Sequence, residues 1–169
     1  GQALPLPIAG DSLADVRTLF RHAIAAEPDM IISSAGVSVG AADLIRTVLA
    51  EFGAVDFWRI NLRPGKPLAY GQIGGVPFFG LPGNPVSAMV TFDVLVRPAL
   101  NKLARRTNVV TTVTVITEES LKSDGRRSFL RVKLDERDNQ IYATTTGTQS
   151  SGALMSMVLA DAPMIVPEG

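Results

Sequence analysis

Over the first third of the chain, apolar residues recur at spacings of three and four and then give way to short unbroken runs. Leu13, Val16, Leu19, Phe20, Ala23 and Ile24 share one side of a 3.6-residue period, predicting an amphipathic helix over 12–26 with Asp11 or Ser12 as its cap. His22 falls on the opposite side, with no second His or Cys at ligand spacing, and reads as an exposed bystander. After Glu27-Pro28, the run Asp29 to Ser33 is continuous rather than alternating, as a central parallel strand covered on both faces requires. Leu44, Ile45, Val48 and Leu49 predict a second helix over about 41–52, stopped at Gly53. Leu4 to Ile8 is expected as a strand entering the first helix.

From Ala54 to Asn61 the pattern shifts to period two, placing Phe57, Arg59, Asn61 and, if the strand extends, Arg63 on one side. Pro67 to Ile73 and Val76 to Leu81 flank Gly74-Gly75 and predict a hairpin, because a two-glycine turn accepts the positive φ of tight primed turns. Asn84 and Pro85 then suit the cap and first position of a long apolar helix running to Leu100. Near Arg105-Arg106-Thr107 the texture becomes short β runs (109–116, 129–134, 140–144), with a short helix over 153–160 and a last strand over 164–166. A second, β-rich unit is expected there. The last strand has no partner in view, and both ends of the chain look truncated.

Composition narrows this picture without redirecting it. Across 169 residues, 46% hydrophobic and 19% charged content is that of an ordinary globular chain, long enough for one core plus an annex. Sixteen basic residues balance sixteen acidic ones, so no global field draws the chain to nucleic acid or an anionic membrane. The absence of cysteine removes disulfides, thiolate metal sites and a cysteine nucleophile together. No run reaches the length of a membrane span and no signal peptide opens the chain, so the cytoplasm is the default location.

The candidate chemistry lies in three glycine-bearing turns: Ser-Ala-Gly-Val-Ser-Val-Gly (34–40), Arg-Pro-Gly-Lys-Pro (63–67) and Gly-Leu-Pro-Gly-Asn-Pro (80–85). A parallel strand ending in such a loop before a helix directs unpaired N–H groups and a helix dipole at any anion nearby. Gly36 and Gly40 would admit a phosphate or oxyanion to the backbone, with Ser34 and Ser38 as hydroxyl donors. Neither a Walker loop nor the dinucleotide fingerprint is present. The alternative is that the glycines only satisfy tight turns, and that Asn84, Pro85 and Ser87 only start a helix. Arg59, Arg63 and Lys66 are the nearby cations, the latter two braced around Pro64-Gly65. Asp11 and Asp43 are each explicable by a helix N-terminus, or alternatively as two carboxylates holding Mg²⁺ in a strand-end crevice. Arg126, Arg127 and Arg131 read as a solvated basic edge, and 146–152 reads as a connection.

In sequence order, the segments Ser33 to Asp43, Phe57 to Pro67, Gly80 to Ser87 and Thr144 to Gly152 resemble the molybdopterin molybdenumtransferases, the MoeA and gephyrin E-domain family. The resemblance implies a partial three-layer, MogA-like α/β domain with a mostly parallel sheet over 1–105, followed by a small β-barrel-like domain over 106–169. It implies insertion of molybdate into adenylylated molybdopterin with Mg²⁺, in a homodimer whose site forms between subunits. By position, Asp11 and Asp43 correspond to the family's crevice carboxylates, taken here as the Mg²⁺ ligands. Arg59 and Arg63 stand where lysines are usual, and Lys66 and Ser151 match in kind. The turns, through Ser34, Gly36, Ser38, Gly40, Pro64, Gly65, Pro82, Gly83, Asn84 and Ser87, would hold the pterin phosphate or its adenylyl extension. Ala35 departs from the usual glycine. The family's N-terminal domains are missing, so this fragment is expected to turn over nothing alone. Two other readings stay open: the related adenylyltransferase step, and a gephyrin-like interaction scaffold.

Overall fold

The first helix, α1 (Leu13–Ala25), begins where Ser12 Oγ accepts the Asp15 N–H at 3.1 Å, so Ser12 rather than Asp11 is the cap. The computed structural model describes residues 1–35, 42–107 and 110–168, and the backbone alone for 42–44. β1 (Ile31–Ser34), α2 (Ala42–Phe52) and β2 (Gly53–Arg59) follow, then a two-residue strand β3 (Leu62–Arg63) and the hairpin β4 (Pro67–Ile73) and β5 (Val76–Leu81).

Four of these strands form one sheet in the order β1-β5-β4-β2, flanked by helices on both faces as expected of a three-layer α/β unit. Among the described residues the sheet is mixed rather than mostly parallel. β1 runs parallel to β5, with Ile31 opposite Phe78 and Ser34 opposite Leu81, while β4 is antiparallel to both β5 and β2. The tight Gly74-Gly75 turn forces the first antiparallel pair, since only a crossover can join parallel neighbours. Alternation across the sheet divides the core. Phe78 and Ile73 face Val16, Phe20, Val48 and Leu49 of α1 and α2, whereas Phe79, Leu68 and Leu81 face Val96 and its helix.

That second layer is one long helical segment in three parts: α3 (Pro85–Thr91), a π turn (Phe92–Val96) and α4 (Arg97–Leu103). Pro98 has no N–H for the regular ladder, and directly before it the helix widens, with the Arg97 N–H bonded to Phe92 O.

β6 (Arg127–Arg137), β7 (Gln140–Thr145), α5 (Met155–Val158) and β8 (Ala162–Val166) complete the chain. The final strand does have a partner: β8 pairs antiparallel with the first half of β6, and β7 with the second. β3 joins the same sheet, parallel to β6, with Leu62 opposite Arg127 and Arg63 opposite Ser128. This sheet is open; no closed barrel forms among the described residues.

Two expected strands are absent. Residues 4–8 take no regular structure, and Ile8 is 99% exposed; among the described residues no strand pairs with them to receive their N–H groups. Of the run 109–116, whose first residue lies outside the described residues, only Ile116 forms a bridge, to Tyr142.

Candidate functional site

Topology collects the described strand and helix ends that border the expected turns at one end of the first sheet. At the other end, Gly74 N donates to Phe52 O at 2.9 Å, and a Cβ on Gly74 would press on Ile24 at 2.8 Å. Both helices therefore finish beside the hairpin turn, and their N-termini, with Asp11 and Asp43, lie at the end where β1 and β5 stop. Register puts the second turn there too, since Arg59 is opposite Pro67 and Ala69 is opposite Gly80.

The strand tips touch. Ala35 N donates to Leu81 O at 3.2 Å, and a Cβ on Gly83 would meet the Ala35 Cβ at 3.2 Å. Ala35 holds φ at +73°, a region that non-glycine residues seldom adopt. Gly36, Ser38 and Gly40 lie outside the described residues, as does the side chain of Asp43.

The Arg63 to Lys66 turn is seated on α3. Its Arg63-Pro64 peptide is cis, and Gly65 has φ +119°, a region that disfavours side chains. A Cβ there would collide with Thr91 Oγ1 and come within 3.2 Å of Leu62 Cδ2. Pro64, Gly65, Pro82 and Ser87 are buried, so they shape the crevice from behind, whereas Arg59, Lys66, Gly83 and Asn84 are exposed at its surface. Arg59 and Lys66 have no ion-pair partner among the described residues; Arg63 is paired with Asp124 at 3.1 Å.

The C-terminal unit reaches this crevice through Ser151. Asn84 makes no capping bond to its own helix; its Nδ2 donates to Ser151 Oγ at 2.9 Å. The 146–152 segment is thus more than a connection. Gln149 brackets the Arg131 backbone, accepting its N–H at 2.8 Å and donating to its carbonyl at 3.1 Å.

Arg131 itself corrects the solvated-edge reading: it is 2% exposed. Its Nε donates to Ser156 Oγ at 3.0 Å and its Nη2 to Ser150 O at 3.0 Å, while Nη1 is buried without a partner. Burial, and then the nearby charge of Arg63, push this guanidinium below its usual range. The signal was present in the alternation Phe129-Leu130-Arg131, which places Arg131 on the same face as the buried Phe129.

The grooves on the described surface include a larger and a smaller one. The larger, about 460 Å³, runs along α2 and β2 past Arg46 and Phe57 and is lined by none of the candidate residues. The smaller, about 320 Å³, is lined by Arg63 together with Lys122, Glu119, Ser128, Thr145 and Gln149.

A three-layer α/β unit tied to a small β unit is the architecture of the MoeA class of proteins. The family model described as a probable molybdopterin binding domain matches residues 3–102, and that of the MoeA C-terminal region (domain IV) matches 114–169. The chain belongs to the MoeA family of molybdopterin molybdenumtransferases. It is 45% identical over 102 residues to the molybdopterin molybdenumtransferase of Haemophilus influenzae, covering 60% of this chain and 25% of that one. To molybdopterin molybdenumtransferase 2 of Mycobacterium tuberculosis it is 31% identical over 169 residues, covering 95% of this chain and 41% of the relative. Among solved structures, the molybdopterin biosynthesis MoeA protein from Pyrococcus horikosii superposes with a TM-score of 0.73 at 33% identity, over 95% of this chain and 38% of that one. The chain spans well under half the length of these relatives.

Proposed function

We propose that this chain supplies the molybdopterin-binding and C-terminal parts of an enzyme of molybdenum cofactor biosynthesis, one that inserts molybdate into adenylylated molybdopterin. One observation supports the reading: the end of β1, the Pro64-Gly65 and Pro82-Gly83 turns, the exposed Arg59 and Lys66, which have no ion pair among the described residues, and the Ser151 loop lie toward one end of the first sheet.

In this reading the backbone N–H groups of the turns and the hydroxyl of Ser34 hold pterin phosphate and its adenylyl extension. Lys66 and Arg59 balance the charge of phosphate and molybdate, each from an exposed position with no ion-pair partner among the described residues. Arg59 presents a planar fork in place of an ammonium, which favours two-point contact with an oxyanion. The buried, unpartnered Nη1 of Arg131 is costly to leave bare, and an incoming oxyanion would satisfy it.

The donor set suits Mg²⁺. Asp11 is exposed and engaged by no ion pair among the described residues, and Asp43 heads a helix at the same sheet end; one or two carboxylates plus ligand oxygens are what this ion takes. Asp11 and Asp43 would hold it. When bound, the ion would neutralise phosphate charge. A homodimer whose second subunit completes the crevice belongs to the same proposal.

The test is molybdate-dependent cofactor formation by the full-length protein. Asp43→Ala and Lys66→Ala are each expected to abolish insertion while leaving the circular dichroism spectrum and thermal midpoint intact; normal activity in both would refute these roles.

A further inference from the structure

Of the three cations flanking the crevice, Arg63 alone is held by a carboxylate among the described residues, and it shares that carboxylate. Arg63 Nη1 reaches Asp124 Oδ2 at 3.1 Å, and the same oxygen accepts Arg126 Nη2 at 2.5 Å. Arg126 takes the larger part: its backbone N–H and Nε also reach Asp124, at 3.3 Å each to Oδ1, whereas Arg63 makes one contact. Arg126 hydrogen bonding, reinforced by the charges of Arg126 and Arg63, keeps the Asp124 carboxyl below its ordinary range, so it is ionised at neutral pH.

The turn carrying Asp124 does not depend on Arg63 for its place. Asn61 Nδ2 donates to Gly125 O at 3.2 Å, Ser123 Oγ accepts the Gly125 N–H at 3.2 Å, and β3 is already in register with β6. Arg63 meanwhile lines the smaller groove beside Lys122. Glu119, the acidic group in that groove, is occupied by the Thr145 N–H at 3.0 Å. The turn holds without the Asp124 to Arg63 contact, which is placed where it competes for a guanidinium lining a groove that also holds Lys122.

We infer that Asp124 is a counter-ion that withholds Arg63 from an oxyanion ligand, and that Arg126, by occupying Asp124, sets how firmly Arg63 is withheld. The inference rests on the proposed function, with Arg63 as a cation for molybdate or phosphate. Because the pair is partly exposed, the control is a tuning of affinity rather than a switch, worth about two- to five-fold in binding.

The experiment measures binding of inorganic molybdate, and in parallel inorganic phosphate, to the full-length protein by titration calorimetry at low salt. Asp124→Asn is expected to bind about two- to five-fold tighter, since Arg63 is released. Arg126→Gln is expected to bind more weakly by a similar factor, because Asp124 then turns wholly to Arg63. Combined with Asp124→Asn, Arg126→Gln should add little; an equal loss in both backgrounds would mean that Arg126 meets the anion itself. A merely structural role would move both single variants in the same direction, and that result, or unchanged binding in Asp124→Asn, overturns the inference. Arg63→Ala separates the two levels. If it binds molybdate as well as the parent, the substrate role of Arg63 fails; if it binds weakly while Asp124→Asn is unaltered, only the counter-ion role fails.

Discussion

Gly65→Ala probes how the Arg63 to Lys66 turn is held. At φ +119° an alanine sits in a region that costs about 1–3 kcal/mol. Its Cβ would also overlap Thr91 Oγ1, and Thr91 is wholly buried, so the helix must yield or the turn must lift, adding about 1–3 kcal/mol of overpacking. The contacts with Leu62 Cδ2 at 3.2 Å and Ser87 O at 3.6 Å add little, the first being the end of a flexible side chain and the second an ordinary approach. The expected loss is about 2–6 kcal/mol, read as a fall in the urea midpoint at constant slope. Thr91→Ala in the Gly65→Ala background should recover the overlap and not the backbone strain, a coupling of about 1–3 kcal/mol. Thr91 Oγ1 has no hydrogen-bond partner, so Thr91→Val alone should be close to neutral. A Gly65→Ala protein within about 0.5 kcal/mol of the parent, or a double mutant no more stable than the sum of its singles, would refute the account.

Further outcomes follow from other contacts. Asn84→Ala and Ser151→Ala should each cost about 0.5–1.5 kcal/mol and, combined, no more than either alone, because both remove one hydrogen bond; full additivity in chemical denaturation would show that the bond contributes nothing. Arg131→Met removes a buried charge that has no counter-ion among the described residues but also the donors to Ser156 Oγ and Ser150 O, two opposing effects, so the thermal midpoint should stay near that of the parent while molybdate binding weakens; a large destabilisation would assign the guanidinium to folding instead. The Asp161 carboxyl is held below its usual range by the Leu134 N–H and then by Lys133. The folded chain therefore binds fewer protons there than the unfolded one, and the stabilisation present at neutral pH is lost as pH falls below about 4. Asp161→Asn should flatten that acid limb of the stability profile.

Local signals carried most of the first unit. The hairpin β4 and β5 was legible to the residue because two glycines pin its turn, and α1 and α2 because their stripes face a single sheet. What depended on distant partners was not legible. β3 is two residues long and exists only because β6 lies beside it, and β8 finds its partner about 35 residues back along the chain. Thr-Val-Thr-Val-Ile over 112–116 alternates like a strand, yet one bridge is all it makes among the described residues. For the candidate site, glycine, proline and charge mark the turns at 63–67 and 80–85 and the cations beside them. The Asn84 to Ser151 bond and the sharing of Asp124 could not be read in this way, since each joins residues that sequence spacing does not relate, whereas the burial of Arg131 was foreshadowed by its place two residues from Phe129 on one strand face.

β3 has one further implication. The strands before and after it, β2 and β4, lie in the first sheet while β3 lies in the second, and Leu62, Val86 and Val90 close over Phe129. The chain is woven across the seam rather than hinged at it. Scissors applied after Arg105, where the texture of the sequence invites them, would leave the front piece with a bare apolar wound and an orphaned stretch of backbone beside Pro64. Anyone dissecting this protein should carry the two pieces together, or graft a surrogate for β6 onto the first.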